Sequence, residues 1–384
     1  MKVIVSVIND LSTDQRVNRV CSTLHSMGYK VLLVGRKQKQ SLALAPRRYY
    51  THRMSLFFER GPLFYLTFQF RLLGYLLFHK TDLLVANDLD TLLPNYIVSR
   101  IKGVPLIYDT HEIFCEVPEL QSSPFRKGVW KTLERFLFPR MTQVITVNES
   151  IAEIYSKEYG LPVTVIRNVP MSVFANKSAP SSTRKELGLP EDKKIILLQG
   201  AGINMDRGAE EALRAMEFIH GAILLIIGSG DVIPLLKKMM DELKLTEKVK
   251  FIPRVPFNEL AQYTRLADIG LTLDKDTNIN YRFSLPNKLF DYIHAGIPVL
   301  ASDLIEVRKI VEQNGVGILL PDHNPKTIAG ILNHFLFDEN QMKMWKENTK
   351  LAAGNLCWEK EELILIGVYK KFLHPSGKGR KQGM

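Results

Sequence analysis

Short apolar segments alternate with amphipathic helical segments along the whole 384-residue chain, and this alternation constrains the fold more than any other feature. Parallel strands joined by crossover helices produce such a pattern. The predicted strands are KVIVSVI, KVLLVG, LLVAN, LIYDT and QVITVN in the first half, and KIILLQG, AILLIIG, VKFIP, IGLTL, PVLAS and GILL in the second. The sequence therefore predicts an α/β protein with two series of parallel strands.

The length of the chain indicates two domains, because it is too long for one compact core. A loop rich in Pro and Ser, VPMSVFANKSAPSSTRKELGLPED, separates the two strand series. We therefore expect a first domain over residues 1–170, a linker over 171–190 and a second domain over 191–357. A last helix, 358–373, is expected to cross back to the first domain, and the Gly/Lys tail, 374–384, to be disordered.

The net charge of +11 is unevenly distributed along the chain. Residues 1–170 carry 22 Lys and Arg against 14 Asp and Glu, a net +8. A basic half suits nucleic acid, anionic lipid or a phosphorylated substrate as partner. No RNP-like, zinc-finger or helix-turn-helix signature accompanies the charge, so we expect no nucleic-acid partner.

The cysteines and the N-terminus indicate a cytoplasmic protein. Cys21, Cys115 and Cys357 lie far apart, without a CxxC pattern or a Cys/His cluster. They predict neither a disulfide framework nor a zinc site, and they suit a reducing compartment. The N-terminal segment MKVIVSVIND is too short an apolar run for a signal peptide and is better explained as the first strand.

Two apolar segments with basic residues, 61–80 and 124–140, lie in the first half. The first has the length of a membrane span, but Arg71 in its middle and the strand that follows argue against insertion. Basic residues recur at every fourth position in the second: Lys127, Lys131 and Arg135. Two alternatives stay open for both segments, namely buried crossover helices and helices that lie on an anionic membrane surface.

The stretch RFSLPNKLFDYIHAGIPVLASD, residues 282–303, predicts a loop, a helix, a turn and a strand. Phe290, Ile293 and His294 recur at helical spacing, and Gly296 marks the end of the helix. In an open parallel sheet the N-terminus of such a helix points to the ligand crevice, where its free N–H groups suit a phosphate. An ordinary crossover helix would show the same pattern.

The second half resembles the C-terminal domain of a GT-B glycosyltransferase of family 4, the retaining, nucleotide-sugar-dependent group. The resemblance rests on the order and spacing of LLQGAGINMDRGAEEALRAM, LLIIGSGD, VKFIPRVPFNELAQYTRLADIGLTL and SLPNKLFDYIHAGIPVLASDLIEVRKIVEQNGVGILL. In the first half NDLSTDQRVNRV, YDTHE and VITVNESIAEIY agree more loosely. The resemblance implies an α/β fold of two Rossmann-like domains that face each other across a cleft.

The resemblance also implies that the second domain holds a nucleotide-sugar donor. Arg207 stands where the family usually carries a phosphate-binding Lys-Gly, and Asp291 matches the acid that typically holds the ribose. We expect both to be catalytic residues: Arg207 would stabilise the negative charge that develops on the departing diphosphate, and Asp291 would hold the ribose of the donor. Further donor contacts are expected from Gly200, Gly202, Arg254, Val255, Ser284, Leu285, Pro286, Asn287, Lys288 and Glu306. Structural alternatives stay open: a solvated helix start for Arg207, an ion pair for Lys288 and a helix cap for Glu306.

In the first domain, His111 of YDTHE matches the active-site His of the family, and we expect it to be catalytic. Its imidazole or its backbone carbonyl can hydrogen-bond a sugar hydroxyl, although a His at a strand end is often only structural. Asp109, beside it, is a candidate to orient it. On the acceptor side we expect Asp14, Gln15 and Arg16, with a plain capping role for Asp14 as the alternative.

The segment NDLD, residues 87–90, resembles the Asp-x-Asp pattern that binds Mn²⁺ in the other major glycosyltransferase fold. So short an acidic pattern is common by chance, and we expect Asp88 and Asp90 to end a strand and cap the next helix. GT-B sites generally use protein cations in place of a metal. We therefore expect no metal and no other cofactor.

The expected function is transfer of a hexose, with retention, from a nucleotide-diphosphate sugar to a lipid-linked or polysaccharide precursor of a cell-surface glycan. The protein is expected to be cytoplasmic and peripheral at the inner, anionic membrane surface. Two residues depart from the family pattern: Phe283 replaces an acid that usually contacts the sugar, and Ala201 replaces a frequent Arg. The alternatives are a nucleotide-sugar 2-epimerase of the same fold and a non-catalytic nucleotide-sugar-binding protein.

Overall fold

The computed structural model describes residues 1–12, 14–39, 41, 43–59, 61–121, 123–172 and 182–373. The predicted tail, 374–384, and the part of the predicted linker from 173 to 181 lie outside these residues. The chain divides into two compact units, each described by itself. The N-terminal unit comprises Met1–Asn168 and the described chain from Lys360, and the C-terminal unit comprises Val169–Glu359.

The centre of the N-terminal unit is a seven-stranded parallel sheet. Its strands are β1 Lys2–Asp10, β2 Lys30–Lys37, β3 Tyr50–Ser55, β4 Leu83–Asn87, β5 Leu106–Asp109, β6 Gln143–Thr146 and β7 Val163–Val165. Their spatial order is β3-β2-β1-β4-β5-β6-β7. The central strands β4, β5 and β6 are buried along their whole length, as parallel strands covered on both faces require.

Helices connect these strands. They are α1 Gln15–Ser26, α2 Pro62–Phe78, α3 Leu89–Lys102, α4 Pro118–Gln121, α5 Pro124–Leu137 and α6 Glu149–Tyr159, with short 3₁₀ helices at Phe114–Glu116 and Phe138–Arg140. Side chains start several of them: Asp14 accepts a hydrogen bond from the N–H of Val17, and Asn148 from that of Ile151. Capping by Asp14 is therefore confirmed.

The C-terminal unit contains a six-stranded parallel sheet with the order β10-β9-β8-β11-β12-β13. Its strands are β8 Lys194–Gly200, β9 Ala222–Gly228, β10 Val249–Ile252, β11 Ile269–Thr272, β12 Val299–Ser302 and β13 Gly317–Leu320. Its helices are α7 Ala209–Ala215, α8 Ile233–Glu242, α9 Phe257–Leu266, α10 Ile279–Arg282, α11 Asn287–Ala295, α12 Ile305–Asn314, α13 Pro325–Phe335 and α14 Glu339–Asn355.

The core of this unit lies on both faces of the sheet. Alternate residues of β8 supply the two faces: Ile196 and Leu198 pack on one, and Ile195 and Leu197 on the other. All four are at most 1% exposed. Burial on both faces explains why the strand sequence is continuously apolar instead of alternating.

The last helix, α15 Trp358–Leu373, belongs to the N-terminal unit from Lys360 onward. Within that unit the hydroxyl of Tyr29 donates to the carbonyl oxygen of Tyr369 over 2.9 Å. The guanidinium of Arg167 lies 2.7 Å from the carboxylate of Glu361, whose side chain is 1% exposed. A buried ion pair and a buried hydrogen bond thus attach this helix to the unit.

In both units the strand order reverses beside the first strand, at β1/β4 and at β8/β11. This order is that of a Rossmann fold, in which ligands bind at the carboxyl ends of the strands near the reversal. The predicted α/β fold of two Rossmann-like domains is confirmed. All the predicted strands are present, and the structure adds β3 and β7, which the sequence pattern did not predict.

Candidate active site

The predicted loop, helix, turn and strand of residues 282–303 are confirmed. Helix α11 begins at Asn287 after Pro286, which provides no side-chain cap, and ends at Gly296 in the left-handed conformation with φ 78°. Strand β12 follows at once. The hydroxyl of Ser284, in the preceding loop, is buried and has no hydrogen-bond partner among the described residues. The start of α11 is thus polar, without a side-chain cap, and placed beyond the carboxyl ends of the strands.

Two of the predicted donor-binding cations share one buried acid. The Nη1 atom of Arg207 lies 3.4 Å from Oδ1 of Asp274, and Nζ of Lys288 lies 3.7 Å from Oδ2. The side chain of Asp274 is 1% exposed, that of Lys288 12% and that of Arg207 34%. The group consists of two cations and one carboxylate, and this excess of positive groups favours an anion.

The protonation of Lys288 depends on its burial and on the charges of Asp274 and Arg207. Burial lowers the pKa of Lys288 below 10.5; Asp274 opposes this effect, and the nearby positive charge of Arg207 adds to it. A bound anion would act on the lysine in the same direction as Asp274. The guanidinium of Arg207 also lies 5.0 Å from the ring centroid of Tyr281, a cation–π contact that orients its plane.

Backbone geometry places Arg207 at this position. Gly208, which follows it and precedes α7, has φ 70°, and a Cβ atom there would lie 2.4 Å from the carbonyl oxygen of Leu273. Any larger residue would push the loop away from β11 and from the acid that follows that strand. The predicted Gly200 ends β8, and Gly202 lies in the loop that follows. The carbonyl oxygen of Gly200 accepts a hydrogen bond from the N–H of Ser229 over 3.1 Å.

Asp291 lies in a second group, one turn further along α11 than Lys288. The Nε2 of Gln199 donates to Oδ2 of Asp291 over 3.3 Å, and the hydroxyl of Thr264 donates to Oε1 of Gln199 over 2.8 Å. These three residues line a mostly apolar pocket of the C-terminal unit together with Pro170, Phe257, Leu260, Ala261, Arg265, His294 and Ala295. A pocket with an apolar wall and one carboxylate suits a nucleoside.

The remaining predicted donor-binding residues are more scattered. Arg254 is exposed after β10, and Val255 is half-buried against the core. Glu306 is 5% exposed in the first turn of α12, with its carboxylate 2.7 Å from Nζ of Lys309. Leu285 is half-buried in the loop that precedes α11. The structure thus brings together Arg207 and Lys288, and separately places Asp291 beside Gln199.

In the N-terminal unit, His111 lies between two carboxylates. Its Nδ1 is 3.2 Å from Oδ2 of Asp88, and its Nε2 is 3.7 Å from Oδ2 of Asp109. Burial lowers the pKa of His111, but the carboxylates of Asp88 and Asp109 outweigh burial and raise it well above 6.5. The two carboxylates thus favour the protonated ring, which donates hydrogen bonds from both nitrogens and accepts none.

Two expectations for this unit need correction. Arg16, expected on the acceptor side, is 3% exposed; it donates to Oδ1 of Asp109 over 2.8 Å and to the carbonyl oxygen of Ile166 over 2.7 Å. It therefore supports Asp109 from within the unit. Asp88 makes no side-chain cap to α3, because its carboxylate is turned to His111. Gln15, the first residue of α1, is exposed as an acceptor-side residue would be.

The two basic segments form half-buried helices. Phe64, Phe68, Leu72 and Leu76 of α2 are buried at every fourth position. The opposite side carries exposed apolar residues, as does α5: Leu63, Leu66, Phe70 and Phe78 on α2, and Phe125, Val129 and Phe136 on α5. The two helices meet where the rings of Tyr65 and Trp130 lie 5.6 Å apart. Within the described chain, no helix is long and apolar enough to span a membrane.

Lys127 and Lys131 of α5 both pair with acids of the same unit. Nζ of Lys127 lies 2.7 Å from the carboxylate of Glu116, and Nζ of Lys131 lies 2.6 Å from that of Glu134, which is fully buried. Loss of Lys131 would leave a buried carboxylate without its cation, so charge reversal there would disturb folding. Its ammonium group forms an ion pair with a carboxylate in the interior of the unit.

Comparison with known families follows the division into two units. A model of Glycosyltransferase Family 4 matches residues 14–169, and a model of Glycosyl transferases group 1 matches residues 181–352. Each match coincides with one of the two Rossmann-like sheets. Both halves of the chain thus match glycosyltransferase family models, and the fold is that of the GT-B proteins.

Individual glycosyltransferases and other proteins resemble this chain to differing extents. An uncharacterized glycosyltransferase of Methanocaldococcus jannaschii is 27% identical over 247 residues, 62% of each chain. Sucrose-phosphate synthase from Thermosynechococcus elongatus superposes with a TM-score of 0.80 at 17% identity, over 98% of this chain and 100% of that one. HepE of Anabaena, solved with UDP and glucose, gives 0.76 at 16%, over 97% and 100%. The chain spans about three fifths of the length of the curated relatives it matches.

The departures of this chain from the family pattern flank the site. Phe283 ends α10 and donates its N–H to the carbonyl oxygen of Ile279, one residue before the buried hydroxyl of Ser284. Ala201 accepts a hydrogen bond from the hydroxyl of Ser229 through its carbonyl oxygen. Both positions contribute backbone where the family usually supplies a charged side chain.

Sequence inspection missed Asp274, Gln199 and Thr264. Asp274 directly follows β11, and an acid after a buried parallel strand was a signal that could have been used. Gln199 is an amide inside an apolar strand, and a buried amide requires partners. Among the described residues, no group of three or more His, Cys, Asp or Glu has the geometry of a metal site.

Proposed function

We propose that this glycosyltransferase transfers a hexose, with retention, from a nucleotide-diphosphate sugar to a lipid-linked or polysaccharide precursor of a cell-surface glycan. The observation that carries the proposal is the group of Arg207, Asp274 and Lys288 beside the start of α11. Its two cations suit the diphosphate, whose negative charge grows as the bond between the sugar and the diphosphate breaks.

The neighbouring pocket supports a nucleotide as the rest of the donor. Asp291 and Lys288 are three residues apart on α11, so they lie toward one side of the helix. A diphosphate on Lys288 would therefore extend toward the apolar pocket beside Asp291, where the carboxylate can accept hydrogen bonds from ribose hydroxyls. HepE, with the same fold, was solved with UDP and with UDP-glucose, which agrees with a donor of this chemical class.

A panel of nucleotide sugars tests the proposal. Released nucleotide should appear slowly with one donor alone and faster when a membrane lipid extract supplies acceptors. Epimerised sugar without nucleotide release would instead establish the 2-epimerase. Binding of a donor without either reaction would establish the non-catalytic alternative, which the side chains of Phe283 and Ala201 favour. The anomeric configuration of the product, determined by NMR, decides between retention and inversion.

The acceptor side of the proposal rests on the exposed apolar residues of α2 and α5. Phe78 is 89% exposed and Phe125 81% exposed. Both helices belong to a unit whose sequence carries a net positive charge. We place an anionic membrane surface, at the cytoplasmic face, against these residues. The apolar side chains would enter the headgroup region, while basic residues other than Lys127 and Lys131 would attract the lipid.

The protein should co-sediment with liposomes that contain acidic lipid and should be released only in part as salt rises. Each surface cation near the headgroups contributes roughly 1 kcal/mol that salt screens, whereas insertion of Phe and Leu resists salt. The double variant Phe70→Ser, Phe125→Ser should lose the salt-resistant fraction. A matched control, Leu351→Ser on the exposed side of α14, should keep it. Absence of binding at low salt would refute the membrane surface and leave a soluble acidic acceptor.

A further inference from the structure

Asp88 has a backbone conformation that residues other than glycine rarely adopt. It follows β4 with φ 60° and ψ 165°, and its N–H donates to the carbonyl oxygen of Asp109 over 2.9 Å. A residue held in such a region persists only where the surrounding structure fixes it, and such strain is frequent at functional sites. Because Asp88 makes no cap to α3, a capping role does not explain its conformation.

The carboxylate of Asp88 holds His111 at two points. Its Oδ1 accepts the backbone N–H of His111 over 2.9 Å, and its Oδ2 lies 3.2 Å from Nδ1 of the ring. One side chain thus fixes both the backbone and the ring orientation of His111. The Nε2 of the ring has no hydrogen-bond partner among the described residues, since Asp109 is 3.7 Å away.

The charges around His111 act together. Burial would raise the pKa of Asp109, but Arg16 and His111 outweigh burial and lower it to about 2. Burial, together with the charges of Asp88 and Glu112, raises the pKa of Asp90 well above 3.8. The ring of His111 lies beside two carboxylates, and Arg16 pairs with that of Asp109.

We propose that Asp88 is a positioning residue for His111, which it keeps as an oriented imidazolium. In this state Nδ1–H is engaged by Asp88 and Nε2–H is left to donate a hydrogen bond to a sugar oxygen. His111 then acts as a hydrogen-bond donor and not as a proton acceptor. The identity of the ligand as a sugar rests on the proposed function, but the state of the ring can be measured without any substrate.

NMR titration of the ¹⁵N-labelled histidines tests the proposal on the free protein, with His111→Asn to assign the signal. In the wild type, His111 should remain protonated well above pH 6.5. In Asp88→Asn its pKa should fall toward the ordinary value of about 6.5. The control Asp82→Asn, which removes an acid bonded to the N–H of Lys2, should leave the titration of His111 unchanged. An unchanged titration in Asp88→Asn would overturn the proposal whether or not a donor is ever turned over.

Activity provides the second test. Asp88→Asn should reduce kcat up to about 10²-fold with KM little changed, because the donor hydrogen bond is misplaced. The loss should grow as pH rises through 6.5, a pH dependence that the wild type lacks. Asp88→Gly adopts φ 60° without strain, so it should fold and still lose the same activity. Full activity in a folded Asp88→Gly would overturn the proposal. No turnover in any variant, with His111 still protonated in the wild type, would count against the proposed function alone.

Discussion

Replacement of His111 by alanine should leave donor binding nearly unchanged and reduce turnover by about 10²–10⁴-fold. The ring is not needed for the diphosphate, which the Arg207, Asp274 and Lys288 group of the other unit is proposed to hold. The oriented imidazolium is instead proposed to act where the sugar reacts. A loss in kcat without a rise in KM is the kinetic signature of an interaction made mainly in the transition state.

Three measurements check this expectation. Thermal unfolding shows that the variant is folded, calorimetric titration with the nucleoside diphosphate shows that binding persists, and released nucleotide measures turnover. His25→Ala, which removes an exposed histidine from α1 of the same unit, is the matched control and should be fully active. If His111→Ala keeps wild-type turnover, the histidine is a structural residue of the strand end. If it loses diphosphate affinity instead, His111 contacts the phosphates.

The parallel sheets could be predicted from sequence because their strands are buried on both faces. Most strands of the C-terminal unit are short, largely apolar runs between polar turns, so pattern and structure agree. The two missed strands lie at the edges of the N-terminal sheet. Tyr50–Ser55 is largely half-exposed with a His and an Arg, and Val163–Val165 has only three residues. Edge strands are less buried and need fewer apolar residues, so the sequence pattern that predicts them is weak.

The candidate site could be predicted only in part, because side-chain partners depend on tertiary packing. Resemblance identified Arg207, Lys288 and His111, but the acids that pair with them come from other strand ends. In sequence, Asp274 follows β11 and Asp88 follows β4. Each acid meets its partner only because the register of the parallel sheet brings different strand ends together. Arg16, expected on the acceptor side, and Lys131, whose helix the sequence leaves open between a buried and a membrane-surface position, show the converse. Buried carboxylates pair with both side chains.

Loss of the two cations beside Asp274 should have the largest effect on donor binding. Arg207→Ala removes a charge-assisted contact, and we expect diphosphate affinity to fall by about 1.5–3 kcal/mol. Lys288→Met should lower the affinity for the diphosphate at least as much, because Lys288 is the more buried of the two cations. Methionine keeps the shape of the site, so this variant removes the charge alone. In the double variant the carboxylate of Asp274 would face the diphosphate without compensation. We therefore expect binding to disappear, with a loss greater than the sum of the two single effects.

Thermal shift and calorimetry with UDP and GDP, in buffer with a chelator, measure these affinities without metal. Arg214→Ala, on the exposed side of α7 in the same unit, is the matched control and should bind normally. Affinity should also fall as pH rises, beginning below the ordinary lysine range, because the pKa of Lys288 lies below 10.5 and its charge is lost first. Unchanged affinity in Arg207→Ala would make that residue a solvated helix start. A thermal shift that requires Mn²⁺ and vanishes with chelator would show that a metal, and not this pair of cations, neutralises the diphosphate.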